Sequence, residues 1–173
     1  MISVIVSVFN QEKYIGRCLR SLLNQTLNKD IYEIIVVNDG SKDKSAYALD
    51  LFSDPNNNLV KIIDHNKNLG LPAALNTGIN SSEGKYIVRV DADDYVNKNF
   101  LSFLYNYLNQ NEDADAVSCD YLLVDDKEKI ISRFYADKDP IGCGIMFKKE
   151  LLINIGLYDT EFRFNEEKSY SRG

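Results

Sequence analysis

The segment 87–95, IVRVDADDY, decides the fold class because a strand pattern ends there abruptly in a cluster of acidic residues. Its first half is β-branched and apolar apart from Arg89, which is typical of a buried strand. Its second half carries three carboxylates within four residues, at Asp91, Asp93 and Asp94. Strands rarely end in this way, so the concentration of negative charge needs a chemical reason.

Strand and helix patterns alternate along the chain on both sides of this segment. Strands are predicted over residues 2–9, 33–39, 59–64, 86–90 and 114–124. Helices are predicted over residues 14–23, 72–80 and 100–108, and from Ser41 or Asp43 to residue 52. This alternation predicts an α/β fold, in which a mostly parallel sheet has helices on both faces.

Polar residues follow the first four predicted strands. They are FNQ at 9–11, NDGS at 38–41, DHNKNLG at 64–70 and DADD at 91–94. In open α/β sheets, ligands bind beyond the carboxyl ends of the strands. We therefore expect a polar, acidic site along this edge of the sheet.

The acidic cluster predicts a bound divalent cation. On an extended chain, Asp91 and Asp93 face the same side, and Ala92 points away. Carboxylates held together repel each other, and a cation such as Mg²⁺ or Mn²⁺ offsets that repulsion with oxygen ligands. The alternative is that these aspartates cap the next segment or lie in a solvated loop.

Composition limits the class of protein. The chain has 173 residues and a formal net charge of -6, which suits a single globular domain and argues against a nucleic-acid binder. The three cysteines, Cys18, Cys119 and Cys143, are widely spaced, as expected for reduced thiols in the cytoplasm. The N-terminal residues lack a signal-peptide pattern, and no stretch has the apolar length of a membrane span.

Four blocks of the sequence together resemble one enzyme family. They are SVIVSVFNQEKYIGRCLRSLLNQT (3–26), EIIVVNDGSKDKS (33–45), NLGLPAALNTGINSSEGKYIVRVDADD (68–94) and GCGIMFKKELLINIGLYDTEF (142–162). In this order and spacing they resemble the family-two inverting glycosyltransferases, which use nucleotide-diphosphate sugars. The resemblance covers essentially the whole chain. It implies the GT-A fold, a Rossmann-like, mostly parallel sheet flanked by helices.

The resemblance also implies a nucleotide site and a metal ligand. The matching nucleotide-binding positions are Val8 (through its backbone), Asn10, Asp39, Asn68, Gly70 and Asp91. Asp39 is expected to accept a hydrogen bond from uracil N3, and Asp93 to bind Mn²⁺ or Mg²⁺ beside the diphosphate. Many members carry two acids where this chain has Asn38 and Asp39. For Asn10, capping of the first helix remains an alternative or additional role.

A carboxylate base is expected shortly after the fourth block. In the family this base is the Asp of a Glu-Asp pair, and Glu167 stands at the matching position with Glu166 as the second choice. A solvated charged tail is the alternative for this pair. Residues 1–95 are expected to form the nucleotide-binding half. Residues 96–173 are expected to begin an acceptor half that is shorter than in most members.

The function that the resemblance implies is metal-assisted transfer of a sugar, with inversion, from a nucleotide-diphosphate donor, with a UDP-sugar favoured. The expected acceptor is a glycan or a lipid-linked molecule, and the expected location is the cytoplasm or the inner face of the membrane. One alternative is a nucleotide-sugar-binding domain that is inactive alone. Another is a sugar-phosphate nucleotidyltransferase, although VFNQEKY at 8–14 is not a glycine-rich, basic loop. A dinucleotide dehydrogenase is disfavoured because no G-x-G-x-x-G follows the first strand.

Overall fold

The computed structural model describes residues 1–54 and 58–161. Its strands are β1 (Ile2–Val8), β2 (Tyr32–Asn38), β3 (Val60–Asp64), β4 (Tyr86–Arg89), β5 (Ala116–Ser118), β6 (Tyr121–Val124), β7 (Ile130–Phe134) and β8 (Ile145–Lys148). Its helices are α1 (Ile15–Leu23), α2 (Ser45–Asp50), α3 (Leu71–Asn80), α4 (Phe100–Gln110) and α5 (Lys149–Asn154). The predicted strands and helices before residue 110 are therefore confirmed, with small shifts at their ends.

The main sheet has six strands in the order β3-β2-β1-β4-β8-β5. β3, β2, β1 and β4 are parallel, whereas β8 runs antiparallel between β4 and β5. One face packs against α1 and α4, and the other packs against α3 through residues such as Ile5, Ile35 and Leu75. The prediction of a mostly parallel sheet with helices on both faces is confirmed.

The register of the parallel strands aligns their carboxyl ends. Val8 pairs with Asn38 across β1 and β2, and Asn38 pairs with Asp64 across β2 and β3. On the other side of β1, Ile5 pairs with Arg89. The residues that follow these strands therefore leave the sheet at one edge, where the polar segments were expected to meet.

The prediction of one strand over 114–124 is wrong. The segment divides at Cys119 and Asp120, so that β5 joins the main sheet and β6 forms a separate two-stranded sheet with β7. The Asp120 carboxylate accepts hydrogen bonds from Arg133 and from the backbone N–H of Ala136, which lie at and beyond the end of β7. These contacts turn the chain away from the main sheet after β5.

Strand β8 and helix α5 had no counterpart in the sequence prediction. β8 joins the main sheet through pairs such as Val88 with Met146, and Met146 is fully buried. Strands from both sides of residue 95 thus share one sheet. Among the described residues, none of the helices has both the length and the apolar character needed to cross a membrane.

Candidate functional site

Two loops at the carboxyl edge hold each other through reciprocal hydrogen bonds. Asn10 donates its backbone N–H to Ser41 Oγ (3.1 Å), and its side-chain Oδ1 accepts from the N–H of Lys42 (2.9 Å). In the same way Gln11 N–H donates to Ser45 Oγ (2.8 Å). Asn10 has a φ of 54° and does not cap α1, so the capping alternative is wrong. Its side chain instead fixes the loop after β2.

Asp39 lies at the centre of the edge and is almost completely buried, with 1% of its surface exposed. Its backbone N–H donates to the Val8 carbonyl (2.8 Å). Its carboxylate accepts hydrogen bonds from the backbone N–H groups of Leu69 (2.9 Å) and Gly70 (2.8 Å). Asp39 therefore ties β1 and β2 to the loop that leads into α3.

His65 extends this connection. Its Nδ1 lies 2.6 Å from Asp39 Oδ1, and its Nε2 lies 3.0 Å from the hydroxyl of Thr77 on α3. A carboxylate only accepts hydrogen bonds, so Nδ1 is the donor. No role was predicted for His65, which stands in the DHNKNLG segment after β3. Its position directly after β3, beside the NDGS turn, was the signal that could have identified it.

The acidic segment after β4 forms a turn rather than a continuation of the strand. The backbone N–H of Asp94 donates to the carbonyl of Asp91 (3.0 Å), and Ala92 packs into the core with 4% exposure. Ala92 therefore points inward, as expected. The extended geometry that was assumed for Asp91 and Asp93 is not present.

The turn brings Asp94 beside Asp91 and a third group. Oxygen atoms of Asp91 and Asp94 and the Sγ of Cys143 all lie within 4.8 Å of one another. Although part of Asp94 reaches solvent, desolvation of its carboxyl group raises its pKa, and the Asp93 and Asp91 carboxylates raise it further. Burial, followed by the charges of Asp91 and Asp94, also raises the pKa of the Cys143 thiol. No ligand role was predicted from the sequence for Asp94 or Cys143.

Arg89 neutralises one of these carboxylates. Its Nε and Nη2 donate to the two oxygens of Asp91 at 2.5 and 2.9 Å. Although burial opposes the charged form, Asp91 raises the pKa of the Arg89 guanidinium. The segment containing Gly142 packs closely here, since a Cβ at that position would lie 3.1 Å from Arg89 Nη1.

The last described segment reaches the same part of the molecule. The backbone of Tyr158 forms two hydrogen bonds with the side chain of Asn76 on α3. Burial raises the pKa of the Tyr158 phenol, and the nearby charge of Arg89 partly opposes this rise. The predicted base residues Glu167 and Glu166 lie outside the described residues, which end at Glu161.

The edge therefore brings together four predicted positions, of which Asp39 is the buried anchor. Val8, Asn10, Gly70 and Asp39 are joined by the contacts above, and Asn68 is exposed on the loop that Asp39 holds. Asp91, Asp93 and Asp94 follow β4, which is next to β1 in the sheet. Carboxylate oxygens at this density suit a hard divalent cation, and the exposed loop backbone is suited to a polar ligand. The roles assigned to these positions remain predictions.

A family model for Glycosyl transferase family 2 matches residues 3–170. Glycosyltransferase GlyA of Streptococcus pneumoniae is 33% identical over 98% of this chain and 23% of its own length. A poly(ribitol-phosphate) beta-glucosyltransferase of Bacillus spizizenii is 40% identical over 64% of this chain and 18% of its own length. The chain thus spans less than a quarter of either relative.

Solved structures share the fold of this chain. Residues 1–349 of S. aureus TarS in complex with UDP superpose with a TM-score of 0.79 and 23% identity, over 96% of this chain and 52% of that one. The mannosyltransferase PcManGT of Pyrobaculum calidifontis, in complex with GDP-Man and Mn²⁺, gives a TM-score of 0.76 and 24% identity, over 92% and 48% of the two chains. The predicted GT-A fold and family resemblance are confirmed, and the chain belongs to glycosyl transferase family 2.

Proposed function

We propose that this chain binds a nucleotide-diphosphate sugar, with UDP as the favoured nucleotide, and transfers the sugar with inversion and the assistance of Mn²⁺ or Mg²⁺. The observation that carries the proposal is the placement of the acidic turn and the Asp39-anchored loop at the same carboxyl edge of the sheet. The UDP complex of TarS and the GDP-Man and Mn²⁺ complex of PcManGT, both of this fold, support a donor of this class.

The acidic turn fits a divalent cation. Asp91, Asp94 and Cys143 place potential ligand atoms within 4.8 Å of one another. Desolvation, followed by the charges of Asp93 and Asp91, raises the pKa of Asp94. The structure groups Asp94, and not Asp93, with Asp91 and Cys143, and both oxygens of Asp91 are already paired with Arg89. Asp93 remains our predicted ligand because of the family resemblance, and Asp94 is its neighbour in the turn. When bound, the ion would supply positive charge beside the diphosphate leaving group.

The residues of the chain then have distinct tasks. The backbone near Val8, together with Asn10, Asn68 and Gly70, would bind the nucleotide, and Asp91 would lie near its ribose. Asp39 is proposed to bind the base as well as hold the loop, by means of an acceptor position that the described contacts leave unused. Glu167, or Glu166 in its place, would remove the proton from the acceptor hydroxyl.

The acceptor, the location and the domain boundary are further parts of the proposal. We propose a glycan or lipid-linked acceptor and a cytoplasmic location, at the inner face of the membrane when the acceptor is lipid-linked. Residues 1–95 would bind the nucleotide, and the residues after 95 would contribute to the acceptor side.

A donor titration tests the proposal. Calorimetry with UDP, GDP, dTDP and CDP, each with and without Mn²⁺, should show Mn²⁺-dependent binding that is strongest for UDP. Asp93→Asn should abolish the Mn²⁺ dependence without lowering the melting temperature, whereas Asp113→Asn, at an exposed position far along the sequence, should bind as wild type does. Metal-dependent binding that persists in Asp93→Asn would remove Asp93 as the ligand. Binding without any turnover of UDP-sugars would favour a nucleotide-sugar-binding domain.

A further inference from the structure

Helix α1 holds the acidic turn through two consecutive residues. Arg17 Nη2 donates a hydrogen bond to the backbone carbonyl of Asp93 (3.0 Å). Cys18 Sγ lies 3.5 Å from the carbonyl of Asp91, to which it donates, and Cys18 is fully buried. The first and third residues of the turn are therefore fixed from the same helix.

Ser21 of α1 and Gln25, just beyond its end, also bind the segment that follows the turn. Ser21 Oγ accepts from the N–H of Val96 (3.1 Å). Gln25, two residues beyond the end of α1, donates to the carbonyl of Asn97 (2.9 Å) and accepts from the N–H of Leu101 (2.9 Å). Side chains of residues 17–25 thus contact the segment 91–101 at several points.

Arg17 contacts the predicted metal ligand directly, through the backbone carbonyl of Asp93. Its guanidinium carbon lies 4.4 Å from the centre of the Tyr95 ring, and its Nη1 lies 3.6 Å from Glu128 in the turn between β6 and β7. A guanidinium held on three sides has little freedom to move. Arg17 therefore restricts the backbone of residues 93–95 and, with it, the orientation of the Asp93 side chain.

Building on the proposed function, we propose that Arg17 is a positioning residue, which orients the Asp93 carboxylate and thereby sets the affinity for the divalent cation. Residues that orient metal ligands typically change metal affinity by about 10–100-fold when they are replaced. Arg17 acts on the ligand from outside and does not itself bind the ion.

The positive charge of Arg17 would act in the opposite direction. A cation beside the acidic turn repels a metal ion, so a role of charge alone predicts that removal of Arg17 tightens metal binding. A positioning role predicts that its removal weakens metal binding. The sign of the change therefore distinguishes the two roles.

The experiment compares Arg17→Gln, Arg17→Lys and the control Arg20→Gln, which removes an exposed arginine from the same helix. UDP binding is measured by calorimetry over a series of Mn²⁺ concentrations. We expect Arg17→Gln to raise the half-saturating Mn²⁺ concentration about tenfold. Arg17→Lys should give an intermediate value, and Arg20→Gln should match wild type. UDP affinity at saturating Mn²⁺ should return to the wild-type value.

A second measurement follows the turn directly. Hydrogen exchange of the Asp94 and Val96 amides, in protein without metal, should be faster in Arg17→Gln than in Arg20→Gln. A half-saturating Mn²⁺ concentration that falls or stays unchanged in Arg17→Gln, while wild type still requires Mn²⁺, overturns this inference alone. If wild-type UDP binding does not depend on Mn²⁺, the metal step of the proposed function fails, and the inference fails with it.

Discussion

Asp39 and His65 are hydrogen-bonded across the edge of the sheet, with 2.6 Å between Asp39 Oδ1 and His65 Nδ1. Asp39 is also the acceptor for the backbone of Leu69 and Gly70. The residue that was predicted from the sequence to recognise uracil is therefore also the anchor of the loop before α3. Its replacement should affect both tasks, and His65 offers a way to separate them.

Asp39→Ala should weaken UDP binding by about 1–3 kcal/mol, because the uracil N3–H and two loop N–H groups lose their acceptor. It should also reduce the preference for UDP over CDP. His65→Ala disturbs the loop but leaves the carboxylate in place, so it should weaken UDP and CDP by similar factors. Calorimetry with both nucleotides makes the comparison. A preference for UDP that is unchanged in Asp39→Ala would show that Asp39 anchors the loop without contacting the base.

The first half of the fold was predictable because local patterns determine it. Runs such as ISVIVSVF (2–9) and the apolar face of α1 carry their own periodicity, and alternating strands and helices admit few topologies. After residue 110 the structure depends on distant pairing. β8 pairs with β5, about 30 residues before it, and with β4, about 60 residues before it. No local sequence pattern indicates that a later strand lies between these two.

The site was predictable to the extent that charge and position in the sequence determine it. Asp39 and the acidic turn stand directly after strands, so their common edge follows from the topology. The position of the Cys143 thiol beside Asp91 and Asp94 could not be predicted, because it depends on how the segment 142–144 packs against Arg89. The contacts of Arg17 likewise depend on how α1 packs against the turn.

Gly40 should be the least replaceable residue of the NDGS turn. Its φ is +69°, and a Cβ there would lie 2.5 Å from the carbonyl carbon of Lys67 and 2.6 Å from the backbone nitrogen of Asn68. Gly40→Ala should therefore lower the free energy of unfolding by about 2–5 kcal/mol, because steric overlap adds to the cost of a left-handed alanine. It should also weaken UDP binding by displacing the loop.

Gly156 is the matched control for this substitution. Its φ is +95°, but nothing lies within 4 Å of the position that a Cβ would occupy. Gly156→Ala should cost only the conformational term, about 1–2 kcal/mol. Chemical denaturation of both variants gives the difference. Equal losses for the two variants would mean that the loop around Lys67 moves aside easily.

Asp43 should make folding stability depend on pH. Its carboxylate accepts hydrogen bonds from the backbone N–H groups of Glu12 (3.0 Å) and Ser45 (2.9 Å). Although burial acts against it, hydrogen bonding from Ser45 and the backbone lowers the pKa of Asp43 below its ordinary value of 3.8. A lowered pKa in the folded state gives stability that is present above the ordinary pKa and is lost as the pH falls through the folded pKa.

Asp43→Asn should therefore destabilise the protein by about 1 kcal/mol at pH 7, since the amide oxygen replaces only part of the acceptor capacity. The difference from wild type should shrink between about pH 5 and pH 2. Denaturation curves across this range measure it, with Asp50→Asn on the exposed side of α2 as the control. A difference that does not change with pH would mean that the ionised form of Asp43 contributes nothing to stability.

Glu167 should affect the chemical step and not the binding step. Glu167→Gln keeps the shape of the side chain but cannot accept the proton, and loss of a general base typically costs about 10²–10⁴-fold in rate. We expect release of UDP from UDP-sugars to slow by this factor, while the affinity for UDP, measured by calorimetry, stays at the wild-type value. Glu161→Gln, at an exposed position six residues earlier, is the matched control and should react at the wild-type rate. A wild-type rate in Glu167→Gln with unchanged affinity would move the base to another residue, and a slow Glu166→Gln would then assign it to Glu166.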